Sequence, residues 1–67
     1  MKIRRNDIGR AVLVRFNDVG RIEGVLIDIL DHSFVKEAKV FFLNDNTIDT
    51  VEMNQIVEIG KRIQIPQ

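Results

Sequence analysis

Cysteine, tryptophan and tyrosine are missing from this chain of 67 residues, and proline, histidine and serine occur once each. Without cysteine there is no disulfide and no thiolate metal site, which makes a reducing compartment, the cytoplasm, the expected location. Without Trp or Tyr there is little to stack nucleobases or to wall a cation. No apolar run approaches the roughly 18 residues of a membrane span, and no secretory leader is expected from the charged opening stretch. The one Ser and one His, Ser33 and His32, are neighbours. Neighbours in an extended chain point to opposite sides, so they cannot form the nucleophile–base contact of acyl transfer. Asp45, Thr47, Asp49 and Glu52 superficially suggest a calcium loop. That pattern needs glycine one place after its third ligand, where Thr50 stands. Gly9 and Gly20 do not make a phosphate loop. No enzyme, metal or cofactor is expected.

What the chain has is branched aliphatic bulk. Ten Ile and eight Val stand against four Leu and two Ala. Side chains stiff at χ1 fit a pleated surface better than a helix, so the fold class is all-β. At 45% hydrophobic and 30% charged residues, the composition is that of a folded domain rather than a disordered tail.

Turn chemistry divides the strands. Residues 10–16 alternate, with Val12, Val14 and Phe16 facing inward. A tight turn follows at residues 17–20, where Gly20 can take positive φ. A long second strand over 21–31 puts Val25, Ile27 and Ile29 on one face. Ile22 is out of phase with them, and Gly24 at the slip reads as a bulge or sharp bend. A polar connection over 32–36 carries Phe34 and Val35. Residues 38–43 turn Val40 and Phe42 inward and Phe41 and Leu43 outward. Asn44, Asp45 and Asn46 make a hairpin turn. A fourth strand spans 47–52, a 3₁₀ turn 53–56 and a short fifth strand 57–59, ended by Gly60. Residues 61–67 trail off, with an edge strand expected up to Pro66. Five short strands must hide their edges, which favours a small barrel.

The residues Ile8-Gly9, then Val12-Leu13-Val14-Arg15-Phe16-Asn17-Asp18, Glu23-Gly24-Val25-Leu26-Ile27 and Lys39-Val40-Phe41-Phe42-Leu43-Asn44-Asp45 follow a familiar order, as do Val51 and Gln55-Ile56-Val57. In that order the chain resembles the SH3-like small barrel, especially its Tudor-like branch. The resemblance covers about residues 8–60 and implies one domain of five strands with a 3₁₀ turn before the last. It leaves a basic arm over 1–7 and a tail over 61–67. Stand-alone barrels of this kind are common among bacterial and phage proteins, which implies such an origin. Recognition of methylated cations in this family needs an aromatic cage. Where family members carry cage aromatics, this chain has Arg21 and Ile22. Phe42 matches a family aromatic and Asp45 an acidic position near the cage mouth, but Phe16 and Phe42 alone make a poor cage.

Charge is unevenly placed in a chain with no net charge. Residues 1–21 hold six bases and two acids, whereas residues 22–60 hold two bases and eight acids. A basic arm could grip phosphate, with Lys2, Arg4, Arg5 and Arg10 as its nucleic-acid contacts. Alternatively, the two halves pair electrostatically, within one molecule or between copies. Outward Phe41 and Leu43, with Leu13 and Leu26 on neighbouring strands, would form the kind of apolar patch that marks a partner surface. The other reading covers that face with Ile3 and Ile8 of the arm or Ile63 and Ile65 of the tail. The resemblance places binding at the loops 17–20, 32–36 and 44–46. Together these features select Phe34, Phe41, Leu43, Arg21 and Asp45 as partner-binding residues. The expected partner is a protein or further copies of the chain, as a homodimer or small oligomer. A nucleic acid is the alternative, and neither a membrane nor a small-molecule substrate is expected.

Overall fold

The computed structural model describes residues 2–31 and 34–63. His32, Ser33, Ile65 and the part of the expected edge strand from residue 64 to Pro66 lie outside the described residues. A 3₁₀ turn over Arg5–Asp7 precedes the strands β1 (Arg10–Phe16), β2 (Gly20–Asp31), β3 (Lys36–Phe42) and β4 (Thr47–Glu52). A second 3₁₀ turn, Met53–Gln55, leads into β5 (Ile56–Arg62). The strands form one antiparallel sheet in the order β4-β3-β2-β1-β5. The chain is therefore all-β, as the branched aliphatics predict. The sheet is not closed into a barrel. Among the described residues no ladder joins β4 to β5.

One face of this sheet carries the core. Val12, Val14, Leu26, Ala38, Val40, Phe42, Val51 and Ile56, drawn from all five strands, form one buried cluster. Ile3, Ile8, Phe16, Ile22, Ile29, Met53 and Ile59 pack around it. Ile3 and Ile8, on either side of the first 3₁₀ turn, and Met53 in the second thus help to shield the cluster from solvent. Each fully buried aliphatic side chain stabilises by about 1.5–3 kcal/mol, which offsets the entropy of ordering so small a chain. Ile3 and Ile8 thus cover the core rather than the sheet's other face.

Strand β2 departs from the predicted pattern. Leu26, expected to point outward, lies in the core, and Val25 is buried outside the core cluster. The pairing with β3 shifts register between Leu26 and Asp28, so Ile27 is the extra residue of a bulge. With that insertion Leu26 and Ile29, three apart, both reach the core, and Ile22 keeps phase with Leu26. The slip expected at Gly24 belongs three residues further on, at Ile27. Gly24 itself sits in regular pairing, opposite Val12 on β1 and Phe42 on β3.

The last strand is also longer than predicted. Gly60 does not end it, because pairing with β1 continues to Arg10 opposite Arg62 through two register shifts. Among the described residues three positions carry left-handed backbone: Gly9 at φ 98° just before β1, Gly20 at φ 84°, as expected, and Asn46 at φ 54°.

Candidate partner-binding surface

The sheet face opposite the core carries a row of apolar residues across four strands. Ala11 on β1 pairs with Val25 on β2, Val25 with Phe41 on β3, and Phe41 with Ile48 on β4. From Val25 onward exposure rises. Val25 is 0% exposed, Phe41 is half-buried and Ile48 is 56% exposed. Leu43, two places beyond Phe41 in the β3–β4 turn, is 45% exposed. An apolar strip therefore opens at the β4 edge of the sheet. Outward Phe41 and Leu43 follow from the alternation of β3. Ile48 is absent from the sequence-predicted contacts, although Val51 in the core fixes the phase of β4 and puts Ile48 with Thr50 on the other face.

The structure divides the remaining sequence-predicted contacts between two ends. Asp45, in the β3–β4 turn, and Arg21, at the start of β2, are exposed at the same end as Leu43. Arg21 lies directly across from Arg15, so two like charges share that spot. Phe34 is 99% exposed, but it sits in the β2–β3 connection at the opposite end of β3. The three loops expected at one binding end thus split: two hairpin turns at one end, residues 34–35 at the other. Beside Phe34 lies a shallow groove of about 280 Å³, lined also by Val35, Lys36, Glu52, Met53 and Asn54. A larger, polar hollow of about 450 Å³ lies between Arg15 and Asn17 and the residues Glu52, Asn54 and Gln55. Gln55 is engaged there, accepting from the Glu52 backbone N–H at 2.9 Å and donating to the Arg15 carbonyl at 3.3 Å.

Phe42 is only 4% exposed and packs against Phe16 with ring centroids 5.8 Å apart and planes tilted by 55°. Its ring belongs to the core, so it offers no wall to a cation-binding cage. Among the described residues, no group of three or more His, Cys, Asp or Glu is placed to hold a metal ion.

The basic N-terminal segment is folded. Arg10 donates from Nη1 to Asp7 Oδ1 at 3.0 Å and from Nε to the Gly60 carbonyl at 2.8 Å. Arg62 donates to the carbonyls of Ile8 at 2.8 Å and Asn6 at 2.6 Å. The Gly9 N–H donates to the Leu26 carbonyl at 2.7 Å, and the Ile63 N–H to the Gly9 carbonyl at 2.8 Å. Arg5 comes within 3.9 Å of Asp28, both largely solvated, a contact of small energetic weight. Arg10 is thus committed to structure, and the charge that could face phosphate falls to Lys2, Arg4 and Arg5, all exposed. The role of Arg62 has no sequence signal, because nothing local links it to residues 6–8.

Asp7 ties this segment together. The Arg4 backbone N–H donates to its Oδ2 at 2.9 Å, which holds the carboxyl below its ordinary range; the Arg10 hydrogen bond and charge act the same way, against partial burial. A depressed folded value means stabilisation that is present above the ordinary carboxylate pKa and is lost as pH falls through the folded value. The denaturation midpoint of the native chain should exceed that of Asp7→Asn at neutral pH, and the gap should close as pH falls below about 4. A gap that stays constant down to pH about 2 would show that the carboxylate charge contributes nothing.

No protein-family model, curated protein or solved structure matches this chain.

Proposed function

We propose that this chain is a non-catalytic protein-binding module on an SH3-like scaffold of the Tudor-like kind, working in the cytoplasm. The scaffold reading is supported by the strand order β4-β3-β2-β1-β5, the 3₁₀ turn before β5 and a long β2. Strand β2 pairs with β1 through residues 20–25 and with β3 through residues 24–31, which is how one strand serves two sides of a curled sheet. The binding reading rests on one observation: the apolar row Val25, Phe41, Ile48 with Leu43 beside it ends in solvent at a sheet edge. Large apolar side chains gathered at one place on a small domain mark a surface that a partner covers. That partner is a protein or, as the other occupant, a second copy of the chain.

Phe41 is half-buried and so a poor first probe, whereas Ile48 and Leu43 are exposed. Ile48→Glu and Leu43→Glu should leave the denaturation midpoint close to that of the native chain, within about 0.5 kcal/mol in stability. The same variants should lose the proteins that the native chain captures from cell extract treated with nuclease. Capture unchanged in both variants would remove this face as the binding surface.

A further inference from the structure

The two edges of the sheet are not equally guarded. Natural edge strands are blunted by bulges, by Lys or Pro, or by charges that point inward. Strand β5 has such devices: two register shifts against β1 and Lys61 near its end. Strand β4 pairs with β3 in unbroken register from Thr47 to Glu52 and contains no Lys, Pro or Gly. It presents Ile48 on the face shared with Phe41 and Asp49 on the opposite side. What guards it is negative charge. Asp49 and Glu52 lie on the strand and Asp45 in the turn before it, and no base lies between residues 40 and 60.

That charge selects among occupants. A second β4 laid against the first would bring Asp49 and Glu52 of each copy close to those of the other, and like charges across a ladder are destabilising. A strand carrying Lys or Arg meets the opposite condition. We propose that β4 accepts an extended segment of a partner protein as a sixth strand, one in which apolar residues alternate with Lys or Arg. Backbone hydrogen bonds along the edge of β4 that no described strand pairs supply affinity, and the two-residue period of the strand supplies selectivity. Apolar side chains of the added strand lie beside Ile48 and extend the row from Val25 and Phe41, while its basic side chains lie beside Asp49. This inference rests on the reading of the Phe41–Ile48 face as the binding surface and names the chemistry of what binds there.

The test uses the full chain, isotopically labelled, titrated with short end-blocked peptides of alternating Val and Lys or of alternating Val and Glu. The Val/Lys peptide should shift the amide resonances of residues 47–52 and slow their hydrogen exchange, and the Val/Glu peptide should not. Asp49→Lys, exposed and so expected to fold, should weaken the Val/Lys peptide by at least about tenfold and gain the Val/Glu one. Binding of the Val/Lys peptide elsewhere, or binding indifferent to Asp49→Lys, would overturn strand addition. So would no peptide binding while Ile48→Glu still abolishes protein capture, an outcome that leaves the binding surface standing. Sedimentation that rises with concentration in the native chain but not in Ile48→Glu would put a second copy on β4 instead. If neither Ile48→Glu nor Leu43→Glu reduces capture, the surface reading itself falls and strand addition with it.

Discussion

Gly24→Val is expected to abolish cooperative folding under conditions where the native chain is folded. A Cβ at this position would lie 2.5 Å from Val40 Cγ1, 2.8 Å from the Phe41 carbonyl oxygen and 3.2 Å from Phe42 Cδ1. None of these neighbours has room to yield. Val40 is fully buried, Phe42 is held against Phe16, and the Phe41 carbonyl belongs to the β2–β3 ladder. Overpacking a core by one or two methyl groups costs about 1–3 kcal/mol and more where backbone must move. A domain this small has a total stability near the low end of about 5–15 kcal/mol. Even Gly24→Ala should lower the urea midpoint substantially. Two other glycines separate this cause from the ordinary ones. Gly20 has φ 84° and an added Cβ there would meet nothing within 4 Å, so Gly20→Ala carries only the left-handed backbone penalty, about 1–2 kcal/mol. At Gly60 the nearest atom would be Ala11 Cβ at 3.5 Å, an ordinary contact, and Gly60→Ala should be close to neutral. If Gly24→Val melts like the native chain, β3 does not approach β2 this closely.

The same glycine shows why part of this fold was legible and part was not. Glycine inside a strand signals either a bulge or the near approach of other backbone. The sequence around Gly24 does not distinguish them, because the atoms that decide belong to Val40, Phe41 and Phe42, sixteen to eighteen places away. Strands β1 and β3 could be phased because a buried side chain at every second position leaves the intervening ones on the other face. Val25-Leu26-Ile27 offers no polar residue to set a phase, so any of the three could face inward until the pairing with β3 chose Leu26. The proposed binding surface divides in the same way. Phe41 and Leu43 are readable against Val40 and Phe42. Ile48 gains its meaning only when β4 is laid beside β3 and Ile48 falls opposite Phe41. The basic segment reads as a free arm in sequence because charge counts carry no partners. Asp7 and Arg10 are three apart, a local spacing of opposite charges, whereas Arg62 meets Asn6 and Ile8 only through the fold.

Leu26→Ala tests the phase of β2 most directly. Leu26 is 0% exposed within the cluster formed with Val12, Val14, Val40 and Phe42, and its carbonyl accepts the Gly9 N–H that docks the N-terminal segment. Removing its branched end leaves a cavity that β-branched neighbours, stiff at χ1, are poorly able to fill. The expected loss is about 2–5 kcal/mol, most of the stability of a domain of this size. Leu13, half-buried on the opposite face between Glu23 and Glu58, provides the comparison: Leu13→Ala should cost less than about 1 kcal/mol. Ile27 is half-buried at the bulge, and Ile27→Ala should fall between the two. The alternative phase, with Val25, Ile27 and Ile29 inward and Leu26 outward, predicts the reverse order, Ile27→Ala severe and Leu26→Ala mild. Urea unfolding of the three variants, with slopes matching the native chain so that midpoints report stability alone, decides between the two orders. A bulge at Ile27 requires that Leu26 be the most costly of the three to truncate.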